Sequence, residues 1–457
     1  MKKIYCIFSA LVLFSFATSA QNQDSVTIKK LADDILTNGK LYDNLRYLCK
    51  KIGPRLSGSA NAQKAVLATA KMLKEAGADT VYLQPCMVPH WIRGKKETGY
   101  IQLDDQSKYN LQLCAIGNTV GTAVGGLRAP VIEVKNMAEL QKLGVDAIKG
   151  KIVFFNIVMD PTYINTFQAY GDFGAGRFTG PAQAAKYGAV GAMVRSLSIN
   201  VNDYPHTGVT RYDDAYPKIP AVCISTKDAN WLSEQIQSKK VVSAYFKTNC
   251  KMLPDAPSYN VIGEIRGTEF PDEIITVGGH LDSWDLAEGA NDDGSGVTQS
   301  IEIIRALKAT GIKPLRTIRA VMFMNEENGG KGADAYLENA LQKKEHHIFA
   351  LESDAGGFSP RGFTFEMTPD KEKKLMQWLP LFYNYGVYFF SKGGSGSDVG
   401  PLRKTGAVLA GLSPDSQRYF DIHHAATDVF ENVSERELKL GAVNMAALVW
   451  LVSEHGL

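Results

Sequence analysis

From about residue 258 to the C-terminus, short apolar runs alternate with longer amphipathic segments. The apolar runs predict strands at Ile274–Gly278, Thr317–Met324 and His347–Glu352. Thr317–Met324 is apolar enough to be a central strand that is covered on both faces. Strands that alternate with helices predict an α/β fold, a mixed, largely parallel sheet with helices on both faces. The predicted helices are Gly296–Leu307, Gly332–Lys343, Lys371–Tyr385 and Glu435–Val452.

The N-terminal part begins in the same style and then changes. Helices are predicted at Ile28–Lys51 and Ala60–Gly77, and a strand follows at Thr80–Gln84. From about residue 119, short β-type runs alternate with helices of small residues, and Leu253–Pro257 then predicts a linker. We therefore predict a β-rich unit at 119–252, inserted between two parts of one main domain, 21–118 and 253–457.

The first 20 residues have the pattern of a targeting segment. Lys2 and Lys3 precede an apolar stretch that runs roughly from Ile4 to Ala17, and small residues lead to Ala20. This order predicts a signal peptide at 1–20 that is cleaved after Ala20. A membrane anchor is the alternative, but a span needs roughly 20 apolar residues. We expect export to the periplasm or the extracellular space, with no membrane attachment after cleavage.

Composition excludes some classes of partner. The chain has 457 residues, 45% of them hydrophobic and 21% charged, as in an ordinary globular protein of two or three domains. Without the signal peptide, 48 basic side chains balance 48 acidic ones, so nothing favours nucleic acid or an anionic membrane. None of the cysteines that remain forms a C-x-x-C pair. Up to two disulfides, or buried free thiols, are both open.

Potential metal ligands follow the predicted strands. They are His280 with Asp282, then Asp292, the pair Glu326 and Glu327, Asp354, and the pair His423 and His424. Taken singly, each has an ordinary explanation as a turn, a helix cap, a solvated loop or a surface pair. Together they collect where strands of such a sheet end, and buried carboxylates that converge there need cations. From this set, two imidazoles and three carboxylates would suit a pair of zinc ions, and a spare glutamate would serve as a carboxylate base beside them.

With these segments, Tyr259–Gly267 and Val277–Asp285 resemble the co-catalytic zinc aminopeptidases and glutamate carboxypeptidases. The resemblance covers about residues 258–455. Within this family, the chain is most similar to the carboxypeptidase Q branch and its bacterial relatives. The inserted unit at 119–252 is similar to the protease-associated domain of that branch. The resemblance implies a zinc exopeptidase fold for the main domain.

The resemblance also implies two zinc ions per chain and a division of their ligands. His280 and Asp354 would bind one ion, Glu327 and His424 would bind the other, and Asp292 would bridge them. Bound zinc would activate water and polarise the scissile carbonyl group.

Two of these assignments choose between neighbours. The spacing that the family has after its equivalent of Gly289-Ala290 implies Asp292 rather than Asp293, and a position four residues before Asp428 favours His424 over His423. Members of the family have a cis peptide bond after the bridging aspartate.

Three further residues receive roles. Glu326 would take a proton from water and pass it to the leaving amine, and Asp282 would hydrogen-bond His280 to fix its tautomer. Asp398 would bind a free peptide amine, or it would cap a helix near 399–403. Tyr170 and Phe173 would let the inserted unit form a wall of the cleft, unless the glycine-rich segment 171–180 is a flexible connection.

The sequence therefore predicts a secreted di-zinc exopeptidase that hydrolyses dipeptides or short peptides from a free terminus. Aminopeptidase or dipeptidase action is favoured over carboxypeptidase action, and a homodimer is possible because the related enzyme is one. Two alternatives remain, a glutaminyl cyclase-like enzyme with one zinc ion and a peptide-binding protein that lacks catalysis. Metal content distinguishes all three.

Overall fold

The computed structural model describes residues 23–457, so the predicted signal peptide at 1–20 lies outside the described residues. The helices, in chain order, are α1 (23–38), α2 (Leu41–Tyr47), α3 (Ala60–Glu75), α4 (Met137–Ile148), α5 (Phe167–Phe178), α6 (Gly180–Lys186), α7 (Thr226–Gln237), α8 (Ser295–Thr310), α9 (Lys331–Lys343), α10 (Pro369–Trp378), α11 (Tyr419–Ile422) and α12 (Glu435–His455). None of these is long and apolar enough to cross a membrane.

The strands fall into three sheets. In chain order they are β1 (Thr80–Ile92), β2 (Thr98–Leu103), β3 (Lys108–Asn110), β4 (Leu113–Ala115), β5 (Leu127–Ala129), β6 (Val131–Val134), β7 (Ile152–Phe155), β8 (Gly191–Arg195), β9 (Ala221–Ile224), β10 (Val241–Lys247), β11 (Lys251–Ile265), β12 (Phe270–His280), β13 (Arg316–Phe323), β14 (His346–Glu352), β15 (Pro360–Glu366), β16 (Phe389–Lys392) and β17 (Val408–Pro414).

The main domain is built on an eight-stranded sheet in the order β1-β11-β13-β12-β14-β17-β15-β16. Its four central strands, β13, β12, β14 and β17, are parallel to one another. Strand β11 pairs antiparallel with both β1 and β13, and β15 pairs antiparallel with β17 and parallel with β16. The predicted mixed, largely parallel sheet is therefore confirmed. The carboxyl ends of the four central strands meet at one edge, where the predicted ligands lie.

Helices cover both faces of this sheet because side chains alternate along each strand. On β13, Ala320 and Met322 pack into one core with α8 and α12, whereas Val321 and Phe323 pack against α9 on the other face. Helix α12 is almost entirely buried, which matches its apolar sequence. The two cores hold the central strands in position, and they thereby also position the loops that follow these strands.

The inserted unit contains the other two sheets, of four and five strands, together with helices α4–α7. Its strands begin at Thr98, before the predicted boundary at residue 119, because β2 pairs with β10 and β4 pairs with β9. The five-stranded sheet is mostly parallel, so the unit mixes helix and strand more evenly than the β-rich composition predicts. Its similarity to a protease-associated domain stays a prediction.

One local prediction was wrong, and one alternative does not hold. Leu253–Pro257 is no linker but part of β11, where its prolines are tolerated because this stretch pairs with β1 alone, across an irregularity at Val88 and His90. Segment 171–180 is mostly helical, in α5, rather than a flexible connection. A Cβ atom at Gly176 would meet Ile157, so small residues let this helix approach the sheet closely.

The cysteines of the described residues are all buried and free, namely Cys49, Cys86, Cys114, Cys223 and Cys250. Burial raises the pKa of the Cys49 and Cys223 thiols to about 12. Of the two possibilities left open by the sequence, the structure contains the free thiols, which act as small apolar core residues.

Candidate metal centre and cleft

The structure brings the predicted ligands together at the carboxyl edge of the central sheet. His280 is the last residue of β12, Glu327 lies four residues beyond β13, and Asp354 lies two residues beyond β14. His424 follows α11, beyond β17, and Asp292 lies in the turn that precedes α8. All five come from loops or strand ends that a packed sheet holds in place.

Asp292 lies between two imidazoles and turns one carboxylate oxygen toward each. Its Oδ1 is 3.1 Å from Nε2 of His280, and its Oδ2 is 3.2 Å from Nε2 of His424. Asp354 Oδ1 lies 3.5 Å from His280 Nε2, and Glu327 Oε2 lies 3.2 Å from His424 Nε2. This is the arrangement expected of a carboxylate that bridges two cations.

His424 is better placed than His423 to be a ligand. The Nε2 of His423 lies 3.9 Å from Asp292 Oδ2, and its ring stacks on that of His424 with centroids 3.6 Å apart. His424 also contacts Glu327, which His423 does not. Both imidazoles nevertheless lie close enough to Asp292 to share one cluster of potential ligand atoms.

His280 is held in the tautomer that a metal ligand needs, although by a different atom than predicted. Its Nδ1 donates to the backbone oxygen of Asp282 at 3.1 Å, which leaves Nε2 free to coordinate. The Asp282 carboxylate instead accepts the backbone N–H groups of Asn325 and Glu326, at 2.6 and 3.1 Å. Asp282 therefore orients the loop that carries Glu326 and Glu327.

The geometry and chemistry of these residues fit metal ions. His280 Nε2 and Asp354 Oδ1 are buried and make no hydrogen bond to the described part of the chain. Burial raises the pKa of Glu327 well above its usual range, and the Asp292 carboxylate adds to that rise. Buried carboxylates and imidazoles without hydrogen-bond partners are costly unless a cation joins them. Imidazole and carboxylate donors suit zinc.

Glu326 lines the cleft beside these ligands. Burial raises the pKa of its carboxyl group, and the nearby carboxylates of Asp354 and Asp292 raise it further. Its backbone is fixed by Asp282. A carboxylate in this position can accept a proton from water and release it to a leaving group.

Three buried carboxylates that received no role in the sequence analysis hold the site. Asp428 accepts the N–H groups of Asn291 and Asp292, at 2.8 and 3.1 Å. Asp293, joined to Asp292 by a cis peptide bond, accepts the N–H groups of His280 and Gly296. Glu352 accepts three successive N–H groups from 397–399. In the sequence, the only signal for these supporting roles was an acidic residue close to each ligand segment.

Asp398 does not cap the helical turn that follows it. Neither of its carboxylate oxygens has a hydrogen-bond partner in the described residues, although the side chain is 1% exposed. Burial raises its pKa well above the usual range, and the neighbouring Glu352 carboxylate adds to the rise. A buried acceptor that faces the cleft without a partner is suited to a cationic ligand.

The cleft above the metal centre has a volume of about 690 Å³ and two walls of different origin. The main domain contributes the ligands, Glu326 and Asp398. The inserted unit contributes Tyr170, Arg177 and Arg211. Phe173, the other predicted wall residue, is instead buried in the core of the inserted unit.

Comparison with known proteins agrees with this geometry. The family model described as "Peptidase family M28" matches residues 260–449. Carboxypeptidase Q of Bos taurus is 34% identical over 91% of this chain and 84% of its own length. The aminopeptidase YwaD of Bacillus subtilis is 24% identical over 90% of this chain and 83% of its own.

A solved structure, a peptidase M28 precursor from Shewanella amazonensis SB2B, has a TM-score of 0.90. It is 29% identical, and the match covers 95% of this chain and 97% of that one. The fold and the candidate metal centre are those of a metallopeptidase. The chain belongs to peptidase family M28.

Proposed function

We propose that this chain is an exported di-zinc exopeptidase that hydrolyses dipeptides or short peptides from a free terminus, by aminopeptidase or dipeptidase action. The observation that carries the proposal is the position of Asp292, whose two oxygens face His280 and His424 at 3.1 and 3.2 Å. Glu326 lies beside this pair with its carboxyl group in the cleft. Similarity to carboxypeptidase Q and to a bacterial aminopeptidase supports peptide as the substrate.

The five ligands would hold two zinc ions, with His280 and Asp354 on one, Glu327 and His424 on the other, and Asp292 shared. When bound, a zinc pair supplies Lewis acidity, which activates water near neutral pH and polarises a carbonyl group. Family membership and this donor set support zinc.

Side chains of this protein transfer the proton and bind the substrate. Glu326 removes one proton from the attacking water and delivers it to the leaving nitrogen, so that the C–N bond breaks, the water oxygen stays on the carboxyl product and the nitrogen leaves as an amine. The Asp282 carboxylate accepts the backbone N–H of Glu326 and so keeps Glu326 in place. Asp398, buried and without a hydrogen-bond partner among the described residues, binds the free ammonium group of the substrate. These roles favour cleavage next to a free N-terminus.

Several parts of the proposal concern the setting of the enzyme. The N-terminal sequence 1–20 supports export to the periplasm or the extracellular space. The balanced charge supports a peptide rather than nucleic acid or a membrane surface as the partner.

Assembly as a homodimer, suggested by the family, is tested by light scattering of the mature chain.

The decisive experiment is hydrolysis of a dipeptide panel by the mature chain, residues 21–457. Each dipeptide is offered free, N-blocked and C-amidated, with and without a zinc chelator. We expect chelator-sensitive cleavage that is lost when the amine is blocked. Loss on amidation alone would indicate a carboxypeptidase. No cleavage of any free dipeptide would contradict dipeptidase action and would favour longer peptides, cyclase chemistry or a binding role.

Metal content separates the two other functions considered for this fold. A peptidase of the proposed kind should contain close to two zinc ions per chain, a glutaminyl cyclase-like enzyme one, and a peptide-binding protein without catalysis none. Contacts of 3.1–3.5 Å connect Asp292 and the four other proposed ligands, which supports the first.

A further inference from the structure

A short segment of the inserted unit lies against the loop that carries His424. His206 pairs with Ala425 in an antiparallel bridge. The backbone N–H of Thr207 donates to the backbone oxygen of His424 at 2.9 Å. Nδ1 of His206 donates to the backbone oxygen of His423 at 2.7 Å. These three contacts hold the backbone on both sides of this proposed metal ligand.

The imidazole of His206 is suited to hold a carbonyl group. It is 1% exposed, and burial lowers its pKa to about 4, so the ring is neutral near pH 7 and carries one proton. Because the carbonyl oxygen of His423 can only accept, that proton lies on Nδ1. The backbone N–H of His206 donates to Ser196 Oγ at 2.8 Å, and this hydroxyl donates to the oxygen of Ile224, the last residue of β9. The ring is therefore anchored to a sheet of the inserted unit.

The backbone of His424 needs such support. Its φ angle is +58°, in the left-handed region that residues with a side chain rarely adopt. His424 lies beyond the end of α11 and outside the strands, and its carbonyl oxygen bonds Thr207 of the inserted unit. Backbone conformations of this type persist where the surrounding contacts hold them. The inserted unit supplies these contacts.

A second contact of the inserted unit reaches the loop of Glu327, the other proposed ligand of the same metal position. Nδ2 of Asn118 donates to the backbone oxygen of Asn328 at 3.1 Å, and Nδ2 of Asn328 donates to Oδ1 of Asn118 at 3.1 Å. Asn328 directly follows Glu327 in the chain. The inserted unit is thus hydrogen-bonded beside both Glu327 and His424.

The other proposed metal position is built by the central sheet. His280 is the last residue of β12, which pairs with β13 and β14. Ser353, directly before Asp354, donates its N–H to the backbone oxygen of Gly278 on β12 at 3.0 Å. Within residues 23–457, no hydrogen bond joins the inserted unit to His280, Asp354 or their neighbours in the chain. Ala355 packs into the core of the inserted unit, but apolar packing is not directional.

We propose that His206 is a positioning residue for His424, and that the inserted unit thereby controls the occupancy of the metal position formed by Glu327 and His424. This inference rests on the proposed di-zinc function. His206 is not among the residues that line the cleft, so it acts through the backbone beside His424. Loss of its N–H donor should weaken the binding of one zinc ion and leave the other bound.

Two variants separate the hydrogen bond of His206 from its packing. His206→Phe keeps a ring and loses the donor, whereas His206→Asn loses the ring and keeps an N–H donor at the δ position. In titrations against a chelator, one zinc ion should bind His206→Phe about 10- to 100-fold more weakly, the usual loss for a residue that supports a ligand. His206→Asn should bind both ions as wild type does. The reverse order, or an equal loss of both ions, would overturn the proposal.

A buried histidine elsewhere in the chain provides the matched control. His347, near the start of β14, is also 1% exposed, but it bonds Thr276 and Glu345 away from the metal centre. His347→Phe should therefore bind both zinc ions as wild type does. If the larger ring prevents His206→Phe from folding, His206→Leu tests the same loss of the donor with a smaller side chain.

A double variant identifies which metal position is affected. Glu327→Gln already removes a proposed ligand of the position that His206 supports, so adding His206→Phe should cause no further loss of zinc. Asn118→Ala should weaken the same ion, because it removes the contact beside Glu327. A further loss of zinc in the double variant would show that His206 acts on the other position, against the proposal.

The zinc content of the wild type separates this inference from the proposed function. A wild-type chain that binds no zinc would contradict the di-zinc function itself. Two ions bound with equal affinities in wild type and His206→Phe would contradict only the role of His206. In dipeptide hydrolysis, His206→Phe should need more zinc for half-maximal kcat and should keep the wild-type KM in excess zinc. A kcat that zinc could not restore would indicate general damage to the fold instead.

Discussion

The carboxylate of Asp428 holds the main chain of Asp292, whose N–H group it accepts at 3.1 Å. Its other oxygen accepts the N–H of Asn291 at 2.8 Å, so the turn that presents the bridging carboxylate is fixed from outside the metal centre. The bridging geometry thus depends on a residue that coordinates nothing, 136 positions away along the chain.

Asp428→Asn should weaken metal binding without unfolding the protein. The amide replaces one of the two acceptors with a donor that opposes a backbone N–H, and losses of a supporting residue of this type cost about 10- to 100-fold in metal affinity. Zinc affinity measured by competition with a chelator checks this. Asp421→Asn is the control, since Asp421 bonds Asn200 instead. Equal affinities for both variants would contradict the supporting role of Asp428.

Glu326→Gln should retain zinc and lose about 10²- to 10⁴-fold in kcat, because the amide cannot take a proton from water. Its neighbour is the matched control. Glu327 contacts His424 at 3.2 Å, so Glu327→Gln should lose metal as well as activity. Metal analysis beside the dipeptide assay separates the two. Wild-type turnover in Glu326→Gln would reject it as the base.

The adjacent histidines should differ in the same way. His424→Ala removes the imidazole that faces both Asp292 and Glu327, and zinc content should fall toward one ion per chain. His423→Ala removes a ring that stands 3.9 Å from Asp292, and it should keep both ions. The reverse result in metal analysis would exchange the two assignments.

Removal of the metal should destabilise the fold. No Lys or Arg of the described residues forms an ion pair with Asp292, Glu327 or Asp354, whose ion-pair partners are histidines. A ligand at 1,000 times its Kd stabilises a protein by about 4 kcal/mol. A chelator should therefore lower the Tm by several degrees, and added zinc should restore it. Glu327→Gln should start lower and respond less to the chelator. An unchanged Tm in wild type would argue against tightly bound metal.

Much of the fold was predictable because its signals are local. The alternation on β13, the helix faces and the acidic residues that follow each central strand all lie within a few positions of one another. Parallel strands then bring Asp292, Glu327 and Asp354 to one edge, which topology alone dictates.

Other features depend on contacts that no short segment records. Arg177 meets His424 across 247 positions, and although the neighbouring Tyr170 was predicted to line the cleft, no local signal predicts this contact. The prolines of Leu253–Pro257 predicted a linker. They are tolerated in β11 because this stretch pairs with β1 alone, and that pairing depends on the whole sheet and not on the local sequence. His280 is oriented by a backbone oxygen of Asp282, a role that residue type cannot reveal.

Glu345 should make stability depend on pH far from the metal centre. Burial raises the pKa of Glu345, but hydrogen bonds from His347 and Arg319 outweigh burial and lower this pKa to about 2. Since the folded pKa lies below the unfolded value, this carboxylate stabilises the fold above about pH 4.5, and the gain is lost as pH falls toward 2.

Glu345→Gln should therefore cost about 1–2 kcal/mol at pH 7, a figure reduced for partial exposure, and less at pH 4. Urea unfolding of metal-loaded enzyme at both pH values measures the difference. Glu338→Gln, an exposed change on α9, should cost little at either pH. A Glu345→Gln penalty that stayed constant between pH 7 and pH 4 would show that packing, rather than the charge of Glu345, stabilises this corner of the sheet.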